Sequence, residues 1–565
     1  MKVPDRQSFT EALNEVRNIT SKPTVQTEND LERTVFPRAF HRNIRRLSQR
    51  KGAGDILAFV LDSSRQFREA ELCYVLACCK NPRTLKAVTH FDSVNLSEIT
   101  QGLLTVGDDG LISFVHPGLR TYLQRNRSLP GFPSMSDKNS TLAHVCISYL
   151  SSKQFSDGPC ASREDLMARI SRSPFLDYAA RHWHRHYLEA DRSGTDMTLS
   201  KSAKQFLSQP GSVSSAWQIL FLVRLLTKEH GQSQTEDSSS AATEELYAFQ
   251  ARFHATGLHL AVQLRLEDLA HVLATDLDPS IINRTDGNGQ TPLHLAVALG
   301  AEVIAEDLLN HGGDANAKNL EGFSPWHIAA ANGNLSMVRM FLKQPAERLH
   351  VNSQVSATDN QEQNPDGSSA RVNLTMHGAT SLHLAALNGH AEIVKSIIGD
   401  GRCRKLIEDR SGMTEFHQAC KLGQLDVVKL LIDTSAKYVR QPSKKNGSIG
   451  FHLACRYASG YEVAKFLLEA HPDLCRITDS FGEVALHHAA RGGVVKIVQL
   501  LLQQPDININ ALNKRDQTPL AIAAERENAA VCTLYDHDGA QQWMFVNGTP
   551  VAGIVRRQRE KPTDI

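Results

Sequence analysis

No stretch of the 565-residue chain reaches the roughly 18 consecutive apolar residues that a bilayer-spanning helix requires. The opening MKVPDRQSFTEALNEVRN also lacks the apolar centre of a secretory signal. Net charge is nearly absent: 62 Lys and Arg against 61 Asp and Glu leave +1, so no chain-wide field draws the protein to nucleic acid or an anionic membrane. The 10 cysteines include no C-x-x-C and only one adjacent pair, Cys78 and Cys79. That pattern reads as reduced thiols inside a cell, with the cytoplasm expected. No phosphate-cradling G-x-x-x-x-G-K-[ST] loop occurs either, since Lys51-Gly52-Ala53-Gly54 has neither the spacing nor the following Lys-Ser/Thr. Neither a Ser-His-Asp nor a Cys-His set stands out, so no catalytic residue, cofactor or metal is expected. What remains is an ordinary composition, 41% apolar and 22% charged, long enough for about four domains of typical size.

The second half repeats. Eight six-residue windows begin at Thr256, Thr291, Ser324, Thr380, Thr414, Ile449, Val484 and Thr518, and read TGLHLA, TPLHLA, SPWHIA, TSLHLA, TEFHQA, IGFHLA, VALHHA and TPLAIA. Their fourth positions are His259, His294, His327, His383, His417, His452, His487 and Ala521, spaced 33 to 35 residues apart except for one gap of 56. That gap is one period plus an insertion, placed at 344–378. Thr or Ser can cap a helix through its hydroxyl, and Pro292 and Pro519 sit in the first turn, where a missing N–H costs nothing. Gly300, Gly333, Gly389, Gly423 and Gly493 then end the short helix. A second helix follows, with apolar positions such as Ile304, Leu308, Ile393, Val394, Val427, Val428, Ile497 and Val498 at helical spacing. One such pair cannot cover its own apolar face, so stacking must complete the core.

A period of this length headed by T-P-L-H-x-A resembles the ankyrin repeat over residues 254–540. The fold expected is a mainly helical chain with an ankyrin solenoid of eight repeats behind a helical, winged-helix domain. The recurrent histidines have two readings, metal ligands or structural bridges at the turn between repeats. Once-per-repeat recurrence favours the bridge, because zinc needs three or four ligands at one point. Thr291, His294, His327, His383, His417, His452 and His487 are therefore expected to build the repeat turns. Cys420 and Cys455 fall where other repeats carry Val or Ala, and read as buried small residues. Ala521 in place of His fits a terminal repeat.

Residues 1–52 form a polar lead, with Arg42, Arg45, Arg46, Arg50 and Lys51 read as a solvated face or linker. From Asp55, ILAFVLDSSRQ, REAELCYVLACC and LSEITQGLLTV read as three helices, GDDG as a turn, LISFVH as a strand and GLRTYLQRN as a closing helix. That order describes a winged-helix module over 53–128. Its hairpin region carries Glu98, Asp108 and Asp109 and no cation between Val94 and His116, the wrong sign for phosphate. A helical connector with Ser/Thr-rich linkers follows at 129–245, including a helical hairpin over SAKQFLSQ and AWQILFLVRLL. His182, His184 and His186 in RHWHRH read as packing residues rather than zinc ligands, having no Glu or Cys beside them.

ITQGLLTVGDDGLISFVHPGLRTYLQR, TLAHVCISYLSSKQFSDGPC and SPFLDYAARHWHRHY together resemble the segment that follows the NACHT nucleotide-triphosphatase domain in fungal NACHT–ankyrin proteins, relatives of the NOD-like receptors. The resemblance implies a connector between an NTPase switch and an ankyrin sensor, but the NTPase loop itself is missing.

Ankyrin arrays bind proteins, and the resemblance implies contacts through the turn tips. Leu320, Phe323, Arg410, Met413, Phe481, Lys514 and Arg515 are the candidates, with Leu320, Phe323, Met413 and Phe481 expected as exposed anchors. The function expected is a non-enzymatic scaffold or regulator for a protein partner, with a separate NTPase or signalling protein as one candidate and no nucleic-acid or membrane partner. Two alternatives stand beside it. One is a fragment of a NACHT-type NTPase missing its catalytic half. The other is a nuclear transcription regulator, to which Arg556, Arg557, Arg559 and Lys561 in the tail at 541–565 would contribute.

Overall fold

A computed structural model of the chain describes residues 53–80, 96, 100, 103–115, 117–125, 138–160, 163–191, 197–229, 255–276, 279–356, 377–505, 507–537, 545–546 and 549–550. The polar lead, the tail cations and most of the insertion lie outside these residues. Two compact units divide the chain between Asp276 and Leu277.

The first unit is helical with one small hairpin. Helices α1 (Ala53–Asp62), α2 (Glu69–Lys80), α3 (Pro117–Arg125), α4 (Asn139–Leu150), α5 (Arg163–Arg172), α6 (Leu176–Asp191), α7 (Met197–Leu207) and α8 (Pro210–Glu229) occur in that order. Strands β1 (Leu104–Val106) and β2 (Ile112–Phe114) pair antiparallel, with Val106 opposite Ile112. The expected third helix thus does not extend through LTV. Leu104 is buried and Thr105 and Val106 face out, and the Gly107–Gly110 turn folds the strand onto its partner. Helix α6 packs along α4, and Phe67, Tyr149, Phe155, Phe175 and Tyr178 fill the interior as tilted, edge-on and stacked rings. Arg65 binds both oxygens of Glu71, reaches Asp177 at 3.2 Å and lies over the Tyr178 ring, which ties α2 to α6.

The RHWHRH segment falls on α6. His186 is held by Tyr178 Oη at 2.8 Å and by Asn139 Oδ1 at 2.7 Å, while Trp183 is fully buried. Burial pushes His182 down to about 3 and His184 down to about 4, so both rings are neutral packing groups. The first repeat also belongs to this unit. Its helices α9 (Gly257–Gln263) and α10 (Glu267–Asp276) pack on α7, and Gly257 lies so close to Leu207 that a Cβ there would sit 1.9 Å from the Leu207 carbonyl oxygen.

In the second unit the expected helix pairs follow one another. The first helices of successive repeats are α11 (Pro292–Leu299), α13 (Pro325–Asn332), α15 (Ser381–Leu387), α17 (Glu415–Leu422), α19 (Gly450–Arg456), α21 (Ala485–Gly492) and α23 (Pro519–Glu525). Each is followed by its partner: α12 (Glu302–Asn310), α14 (Leu335–Leu342), α16 (Ala391–Gly399), α18 (Leu425–Thr434), α20 (Tyr461–Ala470), α22 (Val495–Leu502) and α24 (Ala529–His537). First helix packs on first helix and second on second, as the stacking requirement demands. Cys420 and Cys455 are fully buried between them, and burial raises both thiols well above their ordinary range, the opposite of what a nucleophile needs.

Candidate interaction face

The face begins with the device that fixes each turn. The Thr291 N–H donates to His294 Nδ1 at 3.0 Å, the hydroxyl of Thr291 lies 2.8 Å from the same nitrogen, and the His294 N–H donates to that hydroxyl. Because Nδ1 accepts from the backbone, the ring proton sits on Nε2 and is donated to the next repeat, to the Phe323 carbonyl at 3.0 Å. The same bridge runs from His327 to Ser353, His383 to Met413, His417 to Ser448, His452 to Ile477 and His487 to Gln517, at 2.9 to 3.1 Å. The histidines are inter-repeat struts. Burial pushes His294, His327 and His417 down to about 4 and His452 down to about 3. Ile449 and Val484 replace the capping hydroxyl with alkyl groups, leaving only the backbone N–H on Nδ1.

Between the struts, hairpin tips are joined into a ladder. The Leu320 N–H donates to Asn288, Arg410 to His377, Lys444 to Gly412, Ser480 to Asn446 and Lys514 to Phe481, at 2.8 to 3.1 Å. Asp286, Asp409 and Asp479 brace the tips from below, each accepting two backbone N–H groups with one carboxylate oxygen. The insertion opens from this ladder. Val355 exchanges two backbone hydrogen bonds with Gly378 and Ala379, so the chain leaves and returns at one tip. Residues 344–356 are turns and irregular chain held to the repeat stack: Val351 accepts from the Trp326 indole, Ser353 receives the His327 strut, and Arg402 clamps the Leu342 and Gln344 carbonyls at 2.7 and 2.8 Å.

The candidate anchors divide. Leu320 and Phe481 are exposed by 43% and 51%, and Arg410, Lys514 and Arg515 also face solvent. Phe323 and Met413 do not stand out as expected. Each directly precedes the capping residue and is half-buried, and Phe323 packs on Val355, Ala379 and Leu384. Exposed Leu422, Tyr457 and Leu512 were not singled out from the sequence, although the first two hold the same place, five residues after the repeat histidine.

One group of metal-ligating side chains meets among the described residues, Asp479, Glu483 and His488. His488 Nε2 lies 3.1 Å from Asp479, Arg491 pairs with Glu483, and the Asn513 amide donates to Glu483 at 3.4 Å. The Arg491 guanidinium already neutralises Glu483, so one carboxylate charge is left uncompensated by it in this group. His488 holds Asp479 in the way that Gln418 holds Asp409 two tips earlier, at 2.7 Å.

The family described as Ankyrin repeats (3 copies) matches residues 258–355, 351–442 and 451–544. The array is built of ankyrin repeats. Among curated relatives, the probable 26S proteasome regulatory subunit p28 of Saccharomyces cerevisiae is 37% identical over 134 residues, 24% of this chain and 58% of its own length. NF-kappa-B inhibitor alpha of Sus scrofa is 32% identical over 149 residues, 26% of this chain and 41% of its own length. The human ASB11 ankyrin repeat domain, a crystal structure, aligns at a TM-score of 0.33 and 20% identity, covering 43% of this chain and 97% of that one. This chain thus spans no more than 58% of the curated relatives quoted. Ankyrin repeats generally mediate protein–protein interaction, and no described helix is long and apolar enough to cross a membrane.

Proposed function

We propose that the chain is a non-enzymatic interaction scaffold, acting in the cytoplasm, that holds a partner protein against the tips and first helices of its ankyrin array. The observation that carries this reading is the hydrogen-bonded tip ladder, which presents Leu320, Phe481 and Leu512 to solvent on a backbone already fixed by histidine struts. Large apolar side chains there have no core to fill, and a rigid support lowers the ordering cost of binding. In the NACHT–ankyrin resemblance, the helical unit would connect the array to a nucleotide-hydrolysing partner.

The test is affinity capture with the full chain. Leu320→Ala combined with Phe481→Ala should release the captured protein, whereas Val303→Ala on a second helix should retain it. Equal retention by both variants would refute the tip assignment.

A further inference from the structure

Four residues past the repeat histidine, the first helices carry Ala298, Ala331, Leu387, Lys421, Arg456, Arg491 and Glu525 in successive repeats. This row lies beside the residues that precede the caps: Arg491 pairs with Glu483, and Gln517 donates to Glu525 at 3.2 Å. The face therefore changes character along its length. Its early repeats carry Ala298, Ala331 and Leu387 in this row. From α17 to α21 it presents three consecutive cations, and the neighbouring tips add Arg410, Lys444, Lys445, Lys514 and Arg515, all exposed. Two rows of independent origin thus place positive charge on the same repeats of a chain whose net charge is only +1.

Apolar groups are interleaved with these cations. The Tyr457 ring lies 5.9 Å from both Lys421 Nζ and the Arg456 guanidinium, and Leu422, Tyr457, Phe481 and Leu512 are 39%, 38%, 51% and 57% exposed. Carboxylates are present as well: Glu408 lies 3.9 Å from Lys444, Glu483 pairs with Arg491, and Asp516 and Glu525 are exposed.

We propose that this half of the array binds an extended acidic segment of a partner protein that carries aromatic or aliphatic side chains between its carboxylates. Charge complementarity selects the acidic chain, and Leu422, Phe481 and Leu512 select a peptide over a polyphosphate. Nucleic acid has nothing to offer the aliphatic groups, and Asp516 and Glu408 repel a uniform phosphate backbone. The assignment rests on the scaffold reading of the same face and specifies its partner.

The experiment uses the full chain and fluorescence anisotropy with three probes: a labelled peptide of repeated Glu-Glu-Phe, its Lys-Lys-Phe counterpart, and an oligouridylate of equal charge. Wild type should bind the acidic peptide, more weakly as salt rises, and prefer it to both other probes. Lys421→Glu with Arg456→Glu, and separately Arg410→Glu with Lys445→Glu, should weaken binding about tenfold or more, with circular dichroism unchanged. Lys395→Glu with Lys465→Glu, the same charge change on second helices, should leave it within about twofold. Equal losses from all three pairs, tighter oligouridylate binding, or no acidic-peptide binding would overturn the proposal. A partner released by the Leu320 and Phe481 variant but not by the charge reversals would overturn this assignment alone. A partner that resists both sets would overturn the scaffold reading as well.

Discussion

Acidification should unfold the array through the His294, His327, His417 and His452 struts, because each of these depends on a neutral ring. Protonating Nδ1 would point an N–H at the N–H of the capping residue, so the buried bridge cannot accept the proton that a free imidazole takes up near 6.5. His294, His327 and His417 are pushed down to about 4 and His452 to about 3. Between those values and 6.5 the unfolded chain binds more protons than the native one. Stability therefore rises with pH across the window and is lost as pH falls from about 6.5 towards 4. At pH 5.5 each ring forfeits about 1.4 kcal/mol, and the four together about 5 to 6 kcal/mol, comparable with the whole stability of many domains. The measurement is urea unfolding of the full chain at pH 7.5 and 5.5 by far-ultraviolet circular dichroism, with proton uptake recorded alongside. Unfolding at pH 5.5 should take up between three and four protons from these rings. Replacing one strut, His327→Gln, should remove about one of them. An unfolding midpoint indifferent to pH over this interval would refute the buried-neutral strut.

The two repeats that lack a hydroxyl cap can be repaired: Val484→Thr gives the His487 N–H, which donates to the Val484 carbonyl at 2.9 Å, a side-chain hydroxyl acceptor and should stabilise the array by about 0.5 to 1 kcal/mol, read as a higher melting temperature. No gain would mean that the lost alkyl packing outweighs the cap. Gly423→Ala should act in the opposite direction, because the residue has φ 74° and its new Cβ would lie 1.9 Å from the Ser459 carbonyl oxygen. A loss of at least about 1 to 3 kcal/mol in urea unfolding is expected, and a neutral result would refute the close approach.

The repeat was legible because its device is local: Thr, Pro and His occupy fixed places within one turn, and a strut partner arrives automatically one period later. The second helices were equally legible from their apolar spacing. What the pattern concealed depends on contacts across repeats. Phe323 and Met413 sit beside the tips in sequence, yet they directly precede a capping residue and are half-buried there, Phe323 against Val355, Ala379 and Leu384. Gln344 to Ser356 read as the start of an insertion because the T-P-L-H signal had lapsed, although His327 and Trp326 still needed carbonyl partners there. In the first half, LTV carried no turn signal strong enough to separate it from the preceding helical run. Only pairing with Ile112–Phe114 makes it a strand. The basic row was written at an even period of 35 residues, Lys421, Arg456 and Arg491, but comparing repeats for sameness passes over a position that differs between the early and late halves.

That contrast separates the two tasks of the face. The histidine position is nearly uniform along the array because every repeat faces the same requirement, a proton donated to the next turn. Four residues later no such requirement holds: Ala298, Lys421 and Glu525 all occupy helices of the same geometry, and the stack accepts each. A position that the fold leaves free, yet which runs small and apolar in early repeats and cationic in three consecutive later ones, is set by something outside the fold. Lys421 and Arg456 both lie 5.9 Å from the ring of an exposed tyrosine, where a solubilising charge alone would not need an aromatic neighbour. The sequence of side chains along that row is therefore best explained as the complement of a second chain lying across the repeats.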